Sequence, residues 1–302
     1  MLGPYHAAGC AALIQIAAQA VGFLLVFSGA VIALVTLRKG SRQGLKIMIV
    51  ATALAVFMRF FMSGHTMPML VLCLVVWLPA WLLAGNLART QQQAYPLIMI
   101  AILVAAYAAA MRTAIGDMSQ FWEQRLMTFF DQLTRSGGAQ VAADDISLLA
   151  SQMHIGTLVG IFCLLAATIF LARWWQSSLY NPGGFGSEFR ALRLPRWLMP
   201  VALIAALLSV VQSTTTLNFK VADDAFVIVV VLFAFQGLAV IHARLRSRGL
   251  GGGWLVGLYT SLVFVPQLVG PVLATTGVAD GVADFRRLSR AEKTHGESHE
   301  ED

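Results

Sequence analysis

Apolar positions in this chain fall in long runs rather than in alternation. No Asp, Glu, Lys or Arg occurs in residues 1–37, and charge-free stretches recur at 60–88, 90–111, 146–172, 197–219, 225–243 and 249–279. An α-helix needs about 20 apolar residues to cross roughly 30 Å of hydrocarbon, and a water-soluble core has no use for so many such runs. The pattern predicts membrane segments at about 11–37, 47–62, 68–88, 96–112, 154–173, 197–217, 225–243 and 253–275. The expected fold class is all-α, a polytopic membrane protein with about eight transmembrane helices and one outer amphipathic interfacial helix. The membrane domain covers 1–279, and 280–302 reads as a polar, disordered tail.

Local breakers refine this outline. The first segment is long enough to bend or split near Gly22, and Pro79 in the third frees the carbonyl of Val75 and predicts a kink. Pro266 and Gly270-Pro271 are positioned to break the last segment into a short hairpin. Tyr95-Pro96 opens the fourth, with proline near a helix start where its missing N–H costs nothing.

Two connections stand out. In the insertion at about 113–152, Phe121, Trp122, Leu126, Phe129, Phe130 and Leu133 recur at helical spacing opposite Gln120, Glu123, Gln124 and Asp131. This predicts a helix lying on the outer membrane surface, either as a plain connector or as a lid over an outward-facing site. Gly137-Gly138 ends it, and Asp144-Asp145 is expected to open a further short helix. The other connection is the inner loop at about 173–196, where Trp174, Trp175 and Tyr180 read as an interfacial belt and Asn181-Pro182-Gly183-Gly184 as a turn.

Composition agrees with the pattern. Charged residues make up 12% of the chain against the roughly 25% usual for soluble domains. The net charge of +6 does not point to nucleic acid, because the basic residues sit in short connections beside apolar runs. Arg38, Lys39, Arg42, Lys46, Arg89, Arg173, Arg190, Arg193, Arg196, Arg244, Arg246 and Arg248 gather on one side, and only Arg112, Arg125, Arg135 and Lys220 on the other. The positive-inside rule makes the first side cytoplasmic. Arg286, Arg287, Arg290 and Lys293 suit the cytoplasm too, which eight crossings do not give them. Cys10, Cys73 and Cys163 lie in separate segments without paired spacing, so neither a disulfide framework nor a zinc site is expected.

The inner loop also carries a resemblance. Leu171-Ala172-Arg173-Trp174-Trp175-Gln176, then Leu179 to Phe185, then Glu188-Phe189 and Ala191 to Pro195, resemble the signature of the YybS-like family of bacterial multi-pass membrane proteins of unknown function. Ala33 to Gly40, Gly253 to Val256 and Asp284 to Leu288 are similar to further stretches of that family. The resemblance implies a bacterial cytoplasmic (inner) membrane location and a helical arrangement distantly similar to the substrate-capturing subunits of energy-coupling-factor transporters. Shared fold alone is a weak warrant for shared function.

No catalytic residue and no cofactor is expected. The chain lacks HExxH, GxSxG and CxxC, and Gly184-Phe185-Gly186-Ser187 lacks the lysine of a phosphate loop. No carboxylate lies inside a predicted span, which argues against autonomous ion coupling. Polar residues that gather toward the outer segment ends, Arg59, His65, Arg112, Gln212, Thr214, Thr215, Thr216 and Asn218, are candidates to bind a small polar or anionic solute. The plain alternative is that Arg59 snorkels to the interface. His154 and His242 each read as isolated interfacial residues, and His295 and His299 as part of the polar tail rather than metal ligands. Small residues four apart, Ala7/Ala11, Ala8/Ala12 and Gly29/Ala33, are expected to pack helices internally.

Two functions follow as expectations. The first is a solute-binding or transporter-like module that draws energy from a partner. The second is a scaffold that recruits a membrane or cytoplasmic protein through Trp174, Trp175, Tyr180, Asn181, Pro182, Gly183, Gly184, Phe185, Phe189 and Arg190, with Phe189 and Arg190 on the loop surface. The bilayer is the one partner both share.

Overall fold

The computed structural model describes residues 3–138, 140–214 and 220–283. Among them every regular element is an α-helix: α1 (Pro4–Ala17), α2 (Leu24–Lys39), α3 (Ser41–Ser63), α4 (Met67–Thr90), α5 (Ala94–Ile115), α6 (Met118–Arg135), α7 (Ala143–Tyr180), α8 (Gly184–Arg190), α9 (Leu198–Thr214), α10 (Lys220–Ser247), α11 (Gly253–Phe264) and α12 (Pro266–Ala283). Five of these, α3, α4, α5, α7 and α10, are long and apolar enough to cross a membrane.

These five do not establish the expected count of eight: α9 is a shorter apolar helix, and the apolar segment at each end of the chain is divided. The first apolar segment is two helices, α1 and α2, and the last is two, α11 and α12, divided at Val265 and Pro266. At 1.5 Å per residue, the 14 residues of α1 reach only about 21 Å, short of the hydrocarbon thickness. Two connections are more helical than their composition suggests. Asp144 and Asp145 open no separate helix but sit in the first turn of α7, which runs 38 residues without interruption. That helix also absorbs Arg173 to Tyr180, so the turn begins only at Asn181. α12 continues to Ala283, past the boundary at 279, and the tail from 284 lies outside the described residues.

The helices sort into two compact units, one of residues 1–100, 164–200 and 230–302 and one of 101–163 and 201–229. In the first, α1, α2, α3 and α4 pack on one another. Ala7, Ala8, Ala11 and Ala12 are all buried, so the small residues on α1 serve close packing within the bundle. Lipid gives helices no hydrophobic reason to associate, so van der Waals fit and interhelical hydrogen bonds must hold them. Trp77 on α4 is fully buried, its indole N–H donates to Ser28 Oγ at 3.2 Å, and Ser28 donates to Gln15 Oε1. One polar chain thereby links α4, α2 and α1. In the same unit α10 and α12 cross at glycines, since a Cβ on Gly237 would run into the Leu273 carbonyl and one on Gly277 into that of Phe233.

Large apolar side chains cover the outside. Phe57, Phe60 and Phe61 on α3 and Leu203, Ile204 and Leu207 on α9 are all exposed. Contiguous apolar surface is a liability in water and the ordinary exterior of a helix in hydrocarbon.

The inner signature turn is built from its own residues. Gly183 has φ +83°, a left-handed conformation that costs a side-chain-bearing residue roughly 1–2 kcal/mol. Ser177 Oγ donates to the Asn181 carbonyl at 2.7 Å and accepts from the Phe185 N–H at 2.9 Å, closing the turn. Gly184 is required for space rather than for φ, because a Cβ there would lie 2.5 Å from Asn181 Nδ2. Gly183→Ala should lower thermal stability in detergent by a few degrees through backbone strain alone. An unchanged melting temperature would mean that the turn relaxes at no cost.

Candidate functional site

The second unit holds a cluster of paired charges. α10 starts at Lys220, so Asp223 and Asp224 fall at its N-terminal end, where the helix dipole favours anions. Successive helical residues point about 100° apart, which sends the two carboxylates to different neighbours. Asp223 turns to α9, accepting from Ser209 Oγ at 3.2 Å and from Gln212 Nε2. Asp224 receives the fork of Arg112 from the last turns of α5, Nε at 2.5 Å and Nη2 at 2.7 Å, while His154 Nε2 of α7 lies 3.1 Å from Oδ1. The side chains of Arg112, His154 and Asp224 are 14%, 10% and 6% exposed. Such burial makes the pairing obligatory, because an unpaired charge in a low-dielectric setting costs several kcal/mol.

A more exposed pair lies in the same unit. Asp117 caps α6, accepting from the backbone N–H groups of Ser119 and Gln120 at 2.8 and 3.3 Å, and it pairs with Lys220 Nζ at 3.2 Å. The Gln120 N–H, then Lys220, hold its carboxyl below the ordinary aspartate range. A depressed folded-state value contributes stability that is present above the unfolded-state value and lost as pH falls through the folded one. Anchoring of α6 should therefore weaken below about pH 4, where aspartate normally protonates. Proteolysis near Gly116 should accelerate in that range for the wild type, and Asp117→Ala should be susceptible already at neutral pH.

α6 itself forms over the predicted residues and is amphipathic. Arg125 lies over the Phe121 ring at 4.3 Å, and Phe129 and Leu133 remain exposed.

The predicted solute-site residues are distributed unevenly. Arg112 and Gln212 both engage the Asp223-Asp224 pair, and Thr214 on the last turn of α9 is exposed. Thr215, Thr216 and Asn218 lie outside the described residues. Arg59, half-buried near the end of α3, and His65, exposed after it, belong to the other unit.

Two expectations about histidines are corrected. His154 is not isolated, since it faces Asp224. His242 is not isolated either, because its Nδ1 lies 2.8 Å from the Leu238 carbonyl and its ring packs edge-on to Phe189 and Tyr259. Two carboxylates just outside the predicted spans are buried at helix ends: Asp224 is 4% exposed on α10, and Asp280 is 2% exposed on α12. Asp280 Oδ2 accepts from Gln236 Nε2 at 3.2 Å, while Gln236 Oε1 accepts from the Leu194 N–H at 2.9 Å. Asp224 is buried at a helix start because an arginine and a histidine meet it from other helices, and single segments do not reveal that pairing.

The candidate docking residues divide into two groups. Trp174, Tyr180, Asn181, Pro182 and Gly183 are exposed, Trp175 and Arg190 are half-buried, and Gly184 is buried. Phe189, expected at the surface, is buried against Phe170, Phe185 and His242 at ring separations of 5.6, 6.2 and 5.3 Å. Phe185 also packs on Phe170. Tyr180 stacks under the Arg38 guanidinium at 3.6 Å, so even the exposed group is partly committed internally.

Compared with known proteins, the chain matches no protein-family model, no curated protein and no solved structure.

Proposed function

We propose that this chain is a solute-binding, transporter-like module of a bacterial cytoplasmic membrane, with the Arg112–His154–Asp224 cluster as its polar centre. One observation carries the reading: three long apolar helices deliver an arginine, a histidine and an aspartate to one buried cluster. Ionisable groups buried between apolar helices are costly, which makes this cluster the candidate for a solute or ion pathway. Gln212 and Ser209 on Asp223 extend the same polar surface. Without a nucleotide-binding motif in the sequence, energy from ATP would come from a partner.

The test is a thermal-shift screen of small polar and anionic metabolites against the detergent-purified wild type and Gln212→Leu. A ligand that stabilises the wild type and fails on Gln212→Leu supports the site. An identical response in both proteins, or none in either, overturns it.

Topology supplies a second test. The positive-inside rule expects Gly184 inside and Gly138 outside, and α7 is long and apolar enough to cross between them. Reporter fusions at the two glycines should read opposite sides, and a shared side would refute the orientation. The scaffold reading keeps one supporting observation, the exposed edge of Trp174, Leu179 and Tyr180. Under that reading Trp174→Ala with Leu179→Ala would lose a co-purifying protein while the melting temperature holds.

A further inference from the structure

No aspartate or glutamate occurs in residues 1–116, a stretch that holds Arg38, Lys39, Arg42, Lys46 and Arg89. Membrane orientation follows the excess of lysine and arginine and is little affected by acidic residues. Topology therefore accounts for the cations but not for the missing carboxylates. The counter-charge for these helices has to come from outside them.

Four of the cations meet at one corner of the first unit. α2 ends in Arg38 and Lys39, Gly40 turns the chain with φ +83°, and α3 starts at Ser41. The corner is braced by α4, whose Trp81 indole N–H donates to the Ser41 carbonyl at 2.8 Å. α3 and α4 are both long enough to cross a membrane, so their meeting at Ser41 marks one membrane face. Arg38 is held over the Tyr180 ring, and Lys39, Arg42 and Lys46 are exposed. Among the described residues no carboxylate pairs with these last three. Below them the same face of α3 turns apolar. Arg42, Lys46, Ile49, Ala53, Phe57 and Phe60 follow at steps of three and four, and all are exposed.

This stripe has the polarity of a lipid molecule, with charge at the membrane face and hydrocarbon beneath it. Basic clusters beside a membrane-crossing helix attract anionic headgroups, each cation adding roughly fivefold in affinity. An acidic soluble protein would answer the cations and leave the apolar continuation of the stripe unmatched. We propose that the α2–α3 corner binds an anionic phospholipid, its phosphate among Lys39, Arg42 and Lys46 and an acyl chain along Ile49, Ala53 and Phe57. The site is independent of the Arg112–His154–Asp224 cluster, which belongs to the other unit.

The experiment uses the full chain in neutral detergent, offered phosphatidylglycerol and phosphatidylcholine of equal chain length. Both carry the phosphate, but choline cancels its charge. Native mass spectrometry of retained lipid should show a preference for phosphatidylglycerol of roughly tenfold or more, given three free cations. That preference should shrink as salt rises from about 0.1 to 1 M, where the screening length falls from about 10 to 3 Å. Arg42→Gln combined with Lys46→Gln should weaken phosphatidylglycerol retention by about 25-fold, at roughly fivefold per cation, with the melting temperature unchanged. Arg125→Gln combined with Arg135→Gln, two exposed cations of the other unit, should leave the preference intact. Equal retention of the two lipids, full preference in the corner variant, or the same loss in the control pair would overturn the proposal. So would an acidic protein that co-purifies with the wild type alone while no lipid preference appears. Should the double corner variant fail to accumulate, Lys46→Gln by itself should show about a fivefold loss, and an unchanged preference there overturns the site.

Discussion

Asp224→Ala should destabilise the protein by about 3–5 kcal/mol, the range seen when one partner of a buried ion pair is removed and the other charge stays behind. Arg112 is only 14% exposed, and Asp224 is the carboxylate that its fork engages. Losing that carboxylate also strips His154 of its partner. Detergent-purified variants compared by thermal melting would show the effect, with a drop of many degrees for Asp224→Ala. Asp224→Asn, which keeps the shape and one carbonyl acceptor, should fall between it and the wild type. Lys220→Ala is the control: its pair with Asp117 is 42% and 39% exposed, and exposed pairs contribute about 1 kcal/mol or less. If Asp224→Ala and Lys220→Ala melt together near the wild type, the three-helix cluster is not a buried unit and the proposed polar centre falls with it.

The glycine crossing of α10 and α12 should be equally intolerant. A Cβ at Gly237 or Gly277 meets backbone on the opposite helix, and backbone cannot swing aside as a flexible side-chain end can. Gly237→Ala and Gly277→Ala should each cost more than about 4 kcal/mol or prevent accumulation of folded protein, because the helices must part along their length. Gly160 and Gly257 are helical as well but have nothing within 4 Å of an added Cβ. Alanine at those positions should be neutral or stabilise by up to about 1 kcal/mol through helix propensity. Expression level and detergent melting of the four variants check this, and tolerance at Gly237 would mean that the crossing is looser than the structure has it.

Both effects arise where the sequence is least informative. Helical class, apolar spans, the amphipathic character of α6 and the breaks near Gly22 and Pro266 were all legible along the chain. Each depends on residues within one or two turns of each other, and a single α-helix satisfies its backbone internally, so local pattern suffices. Span ends were less legible. α7 extends well beyond its apolar stretch, and Arg173 to Tyr180 are helical although tryptophans, a glutamine and serines suggest a loop. Polar residues continue a helix without penalty once it emerges from hydrocarbon, so hydropathy marks the membrane-embedded part and not the helix.

What only the tertiary structure decided is which distant residues meet. Arg112, His154 and Asp224 are separated by 112 and 70 positions, and nothing in their local surroundings distinguishes them from Arg125 or His242. Gln93 and Glu188, 95 positions apart, give no sign in sequence of the contact that packing makes between amide and carboxylate. The sequence by itself determined that this chain is helical and where its apolar helices run, because that follows from solvent and local hydrogen bonding. Its polar centres were decided by packing, because a charge buried between helices is stabilised only by the partner that another helix brings to it.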